Sequence, residues 1–126
     1  MSGFSVTPHD LQGDRRTVAV AGDLDVHTAL RLEMALDAAV DEGARHLEID
    51  LAETAFMDST GLAALAAAHR RVQQRGGSLR LTNVSRAVMR VLEVTAMDTV
   101  LMAEPEDDDD VRAGASRTSG PRSPGR

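Results

Sequence analysis

The chain has 126 residues, a formal net charge of −6, two aromatic residues and no cysteine. That length suits one domain plus a tail; the missing thiols exclude disulfides and thiolate metal sites, and the acidic balance argues against nucleic-acid binding through a basic face. All 14 basic residues are arginine, which disfavours a P-loop, whose lysine must reach the phosphates, and a receiver domain, which also relies on a lysine.

Phe4 to Thr7 alternates apolar and polar and reads as a short strand, ended or set at an edge by Pro8. His9 to Arg16 is polar around Gly13, a hairpin turn with Asp14, Arg15 and Arg16 expected in water. Thr17 to Ala21 is nearly all apolar, so a second strand buried on both faces is expected. A helix starting at Asp25 or Thr28 follows, with Leu32, Leu36 and Val40 on one stripe and Gly43 as its stop. His46 to Asp50 is a third strand with Leu47 and Ile49 inward. Gly61 to Arg75 is the most helix-prone run, with Leu62, Leu65, His69 and Val72 on one face and alanines filling much of the rest. Gly76 and Gly77 stop it. Ser78 to Thr82 alternates as a fourth strand. Ser85 caps a third helix with Val88, Val91, Leu92 and Thr95 inward. Thr99 to Met102 reads as a last short strand or a packed extension. The order β-β-α-β-α-β-α points to a partly parallel sheet with crossover helices.

From Glu104 the composition changes. Residues 104–110 are acidic except for Pro105, and 111–126 are mainly Ser, Gly, Pro and Arg. Such a segment buries too little apolar surface to offset its ordering entropy. The expected organisation is therefore a domain over 1–103 and a disordered tail over 104–126. No run approaches the ~20 apolar residues of a membrane span, and no secretory signal pattern is visible, so a cytoplasmic protein is expected.

The stretch from Asp50 to Leu62 joins the third strand to the second long helix. It sets Ser59, with Asp58 beside it, at or next to the helix start. Both residue types accept hydrogen bonds from the first free N–H groups of a helix, so a cap is one reading of the pair. A serine nucleophile is another. A hydrolase elbow needs G-x-S-x-G, and here Met57 stands where the first glycine is required. His69 lies ten residues on, on the apolar face of the same helix, and the remaining histidines show no orienting carboxylate. No H-x-x-x-H pair is present for a metal, and no cofactor is expected. A third reading makes Ser59 the target of a kinase, because a small hydroxyl at such a turn is accessible.

The words around the serine favour the third reading. Phe56-Met57-Asp58-Ser59-Thr60-Gly61-Leu62 resembles the phosphorylation-site signature of anti-sigma factor antagonists, in the bacterial STAS-domain family. Gly22-Asp23-Leu24-Asp25 followed by His27-Thr28-Ala29 resembles a second family piece. Gly76 to Ser85, then Val88 and Leu92, resembles a third. The three stand in the family's order and span residues 4 to 103. The resemblance implies an α/β fold: a STAS-like mixed β-sheet with crossover helices packed against it and an N-terminal β-hairpin. It implies that Ser59 is phosphorylated by a partner anti-sigma factor, itself a serine/threonine kinase using ATP. The unmodified form binds that partner and frees the sigma factor, and a serine phosphatase resets the switch. Asp23, Asp25, Asp58, Ser59, Thr60, Gly61 and Leu62 then form the contact face. No catalysis is implied; a STAS scaffold or accessory module that never meets a kinase is the alternative. The sequence departs from the family at Thr60, where serine is common, at Asp23, where Glu is more usual, and at Ala96-Met97, where Gly-Leu is frequent.

The physics of such a switch is sound. Phosphorylation adds about −1.5 to −2 charges, and a helix N-terminus attracts that charge by about 0.3–1 kcal/mol. The fold should therefore tolerate it. A contact fitted to a hydroxyl must instead desolvate an unpaired phosphate, and about 2.7 kcal/mol already lowers affinity a hundredfold.

Overall fold

A computed structural model describes residues 3–103. The expected tail, 104–126, lies outside the described residues. Eight elements run in the order β1 (Ser5–Pro8), β2 (Arg15–Ala21), α1 (Ala29–Asp41), β3 (His46–Glu53), α2 (Ser59–Gln74), β4 (Ser78–Thr82), α3 (Arg86–Val94) and α4 (Asp98–Leu101). The strands form one sheet in the order β1-β2-β3-β4. β1 and β2 make the antiparallel N-terminal hairpin, with Val6 opposite Val20. β2, β3 and β4 are parallel, with Val18 opposite Ile49 and Ile49 opposite Leu81.

Both parallel crossovers step the same way across the sheet, so right-handed connections put α1 and α2 on the same face, where they pack on each other. The core lies between. Val18, Val20, Leu47, Ile49, Leu51, Leu79 and Leu81 point into it from the sheet. Leu32 and Leu36 of α1, Leu62, Leu65 and Val72 of α2, and Val88 and Leu92 of α3 meet them.

This arrangement corrects one expectation. β2 is buried on one face only: Val18 and Val20 are inside, while Thr17, Ala19 and Ala21 are half-exposed. The same alternation runs through β3 and β4, whose outward positions are His46, Glu48 and Asp50, and Ser78, Arg80 and Thr82. Alanine contributes little apolar area, so an open face costs little there. Arg16 also departs from expectation. It reaches Glu42 at the end of α1, and its side chain is only 12% exposed.

α1, α2 and α3 close in the same way. The N–H two residues beyond each C-cap reaches back five residues, Ala44 to Ala39, Gly77 to Val72 and Met97 to Leu92. The residue before it takes positive φ: Gly43 at 110°, Gly76 at 79° and Ala96 at 60°. This is the Schellman closure, which favours glycine; the third helix makes it with alanine. The chain leaves that closure into α4, so residues 98–101 are one helical turn and not a strand. Asp98 stands in its first turn, where a carboxylate complements the helix dipole. Leu101 is fully buried, which is how this short segment packs.

Candidate functional site

The site begins where β2 and β3 end. Their pairing continues into the loops beyond: Gly22 N–H donates to Glu53 O at 3.0 Å, Leu24 N–H to Phe56 O at 2.9 Å, and Asp58 N–H to Leu24 O at 3.1 Å. This ladder holds Asp23-Leu24-Asp25 alongside Phe56-Met57-Asp58. Leu24 and Met57 form an isolated parallel bridge and plug the top of the core, with 0% and 2% exposure. The turn after Leu24 is held by Thr28, whose hydroxyl donates to Asp23 O at 2.7 Å and accepts from Asp25 N–H at 3.0 Å. The Asp25 carboxylate accepts from His27 N–H at 2.9 Å.

Across the ladder, α2 starts at Ser59. Asp58 is its cap: the carboxylate accepts from Thr60 N–H at 2.9 Å and Gly61 N–H at 3.1 Å. The two candidate roles at this turn are thereby divided. Asp58 satisfies the free N–H groups, and Ser59, the first helical residue, is exposed with no hydrogen bond from its hydroxyl to another described residue. Gly61 explains how the turn fits. A Cβ there would lie 2.8 Å from Leu24 O and 2.9 Å from Leu24 Cβ. Only a residue without a side chain lets α2 approach so closely.

Of the residues singled out in the sequence, Asp23, Asp25, Asp58, Ser59 and Thr60 are brought to one surface, with Asp23, Ser59 and Thr60 exposed and Asp25 and Asp58 half-buried. Gly61 and Leu62 lie beneath it; both are buried. They shape the turn and offer no side-chain surface. Among the described residues none of the three aspartates forms an ion pair. The surface is a hydroxyl among carboxylates that have no ion-pair partner among the described residues, with backbone N–H donors to Asp25 and Asp58.

Sequence reasoning missed several supports. Thr54 is the one fully buried polar residue described; its hydroxyl donates to Val20 O at 3.1 Å. Ser85, expected as the cap of α3, does accept from Val88 N–H, and its hydroxyl also donates to Thr54 O at 3.1 Å. These bonds tie the start of α3 to the loop that carries Ser59. Nothing in the local sequence signals them, since they join residues 31 and 34 apart.

Among the described residues no histidine or carboxylate is hydrogen-bonded to the Ser59 hydroxyl. His69 is ten residues further along α2, roughly 15 Å up the helix axis. It is half-buried, and burial, with Arg70 as the smaller cause, lowers its pKa below the ordinary 6.5. His46 does have polar neighbours at the opposite end of the sheet. Its Nδ1 lies 2.8 Å from Ser78 Oγ, while its Nε2 is 3.8 Å from Asp14, outside hydrogen-bond range. That contact ties β3 to β4 far from Ser59. Among the described residues no helix is long and apolar enough to cross a membrane.

Comparison with known proteins bears on the family and the fold. The sequence profile of the family described as "Mlab, STAS domain" matches residues 9–103. The anti-sigma-B factor antagonist of Bacillus subtilis is 34% identical over 84 residues, 67% of this chain and 76% of that protein. An anti-sigma factor antagonist from Mycobacterium paratuberculosis superposes with a TM-score of 0.71 at 27% identity, over 90% of this chain and 96% of that one. The phosphorylated form of the Bacillus cell fate determinant SpoIIAA shares the fold, with a TM-score of 0.63 at 15% identity over 86% of this chain and 98% of that one. The three motifs, the mixed four-stranded sheet and the capped turn at Ser59 thus have one explanation: the chain belongs to the STAS-domain family.

Proposed function

We propose that the protein is an anti-sigma factor antagonist working as a phosphorylation switch. The unmodified form binds an anti-sigma factor that is a serine/threonine kinase, and so frees a sigma factor. Phosphorylation of Ser59 by that kinase ends the binding, and a serine phosphatase restores it. The protein is the kinase's substrate and has no catalytic role of its own. It shares the cytoplasm with its partners.

One observation carries this reading: the Ser59 hydroxyl is exposed and unbonded, while Asp58 beside it holds the helix cap. A serine that capped the helix would be needed for stability and would resist modification. This one is free to react. The names of the relatives agree, since the B. subtilis protein is an anti-sigma-B factor antagonist and SpoIIAA exists in phosphorylated and unphosphorylated forms.

The consequences follow from charge. A phosphate brings about −1.5 to −2 charges to a turn that already holds Asp23, Asp25 and Asp58. The N–H groups of Thr60 and Gly61 are already given to Asp58, so the helix N-terminus has less left to offer it. The domain keeps its fold, because Ser59 is exposed and supports nothing. The partner's surface must accommodate the change. A contact fitted to a hydroxyl buries Asp23, Asp58 and Thr60 around it, and among the described residues no cation pairs with these carboxylates to offset the desolvation of a phosphate there.

The test is intact mass after incubation with ATP and the anti-sigma kinases of the same genome, with Ser59→Ala alongside. One added phosphate in the wild type, absent in S59A, is expected. A phosphate that persists in S59A moves the site to Thr60. No phosphate with any kinase, together with no binding to one, leaves a STAS interaction module without a switch.

A further inference from the structure

Four large apolar side chains near the Ser59 surface are left in water: Phe56, 49% exposed in the loop before Ser59, and three on or just before α1. Val26, in the turn leading into α1, and Leu30 and Met34 on α1 are 64%, 64% and 62% exposed. Single exposed leucines are ordinary. These three follow one another at intervals of four, so Leu30 and Met34 stand one above the other on the helix.

Their direction is set by an ion pair. Arg71 of α2 meets Asp37 of α1 at 3.0 Å, so the side of α1 bearing Asp37 looks toward α2. Leu30 and Met34 precede Asp37 by seven and three residues and lie on that side. Both helices follow parallel strands and pack together, so their N-termini lie at the same end of the sheet. Leu30 is the second residue of α1 and Ser59 the first of α2. Asp37 is seven residues beyond Leu30 and Arg71 twelve beyond Ser59, so with that pair level the ridge on α1 begins about one turn below Ser59 and runs down the outside of the helix pair.

We infer that this ridge is the seat of an apolar segment of the anti-sigma factor, which it anchors while Ser59 is presented to the kinase site. This rests on the reading given under Proposed function. Area and continuity select the occupant. A stable complex covers ~800 Å² per partner, a patch of about 16 Å radius. Packed helices stand about 8–10 Å apart, so a footprint centred on Ser59 reaches the first turns of both. The polar turn at Ser59 supplies the switch, and affinity in such patches is concentrated in buried apolar anchors. This surface offers apolar anchors at Phe56 and along the ridge, and the ridge is the larger, contiguous one.

The test uses the full chain and its cognate anti-sigma kinase, with binding measured by calorimetry for wild type, L30Q/M34Q and S59D. Glutamine keeps the helix propensity of the residues it replaces, and circular dichroism checks the fold. At least a tenfold loss of affinity in L30Q/M34Q is expected, with a raised KM and unchanged kcat for Ser59 phosphorylation. Wild-type affinity in L30Q/M34Q, with S59D released, overturns the ridge and leaves the switch standing. Loss in L30Q/M34Q with S59D still bound supports the ridge and overturns the switch. A wild-type dimer that L30Q/M34Q dissociates, without change in kinase affinity, assigns the ridge to a second copy and overturns the inference. Should L30Q/M34Q fail to fold, Val26→Gln, outside the helix, replaces it with the same expectations.

Discussion

Gly61→Ala tests the geometry of the Ser59 turn directly, because two effects of opposite sign compete. The new Cβ would lie 2.9 Å from Leu24 Cβ and 2.8 Å from its carbonyl oxygen. Carbon atoms pack best at about 3.5–4.0 Å, so the turn must open by about 0.6 Å. Leu24 cannot yield alone. It is fully buried, its N–H is bonded to Phe56, and its carbonyl accepts from Asp58. Either the 22–28 turn moves out or the first turn of α2 lifts. Overpacking of this kind costs about 1–3 kcal/mol, while alanine in a helix gains about 0.8–1 kcal/mol over glycine. The expected net loss is about 1 kcal/mol, a fall in Tm of about 4–8 °C for a domain of this size. Calorimetric melting of the two proteins measures it. A Tm that rises by the propensity alone would refute the close approach of α2 to Leu24, and with it the account of why Asp23 and Asp58 share a surface.

Ala96→Gly should act in the opposite direction. Ala96 sits at φ 60°, a conformation costing about 1–2 kcal/mol for a residue with a Cβ, less the ~0.4–1 kcal/mol that glycine loses through the unfolded chain. The urea midpoint should rise with m unchanged; an unchanged midpoint would mean the closure of α3 carries no strain. Asp58→Ala removes the acceptor of two N–H bonds and should cost about 0.5–2 kcal/mol. Asp58→Ser should restore most of it, and if D58S melts with D58A, capping is not what Asp58 does. His69 has its folded pKa lowered by burial, with Arg70 adding to it, so the folded state favours the neutral ring. Its contribution is complete above the unfolded value near 6.5 and is lost as pH falls through and below it. Urea titrations between pH 7.5 and 5 should show a shallower acid loss in His69→Gln than in wild type; parallel curves would contradict the shift.

The chain itself determined most of what is local. Spacing of Leu32 and Leu36, and of Leu62, Leu65 and Val72, placed two helices and their inner faces, because a 3.6-residue period is written in the side chains. Gly43 and Gly76 marked two helix ends, since a positive φ there asks for glycine. The three motifs around Asp23, Ser59 and Ser78 pointed to the family and to the candidate hydroxyl. What the chain could not decide depends on contacts between distant segments. Asp58 and Ser59 are equally good caps by residue type; which one caps was settled by how the Leu24–Met57 bridge orients the turn. The Thr17–Ala21 run reads as buried on both faces, yet parallel crossovers stepping one way leave one face of the sheet open. Residues 98–101 could extend or coil, and the αL exit of α3 at Ala96 turned them into a helix. Leu30 and Met34 are as apolar as Leu32 and Leu36, and only the packing of α1 on the sheet and α2 decided which pair entered the core and which stayed in water.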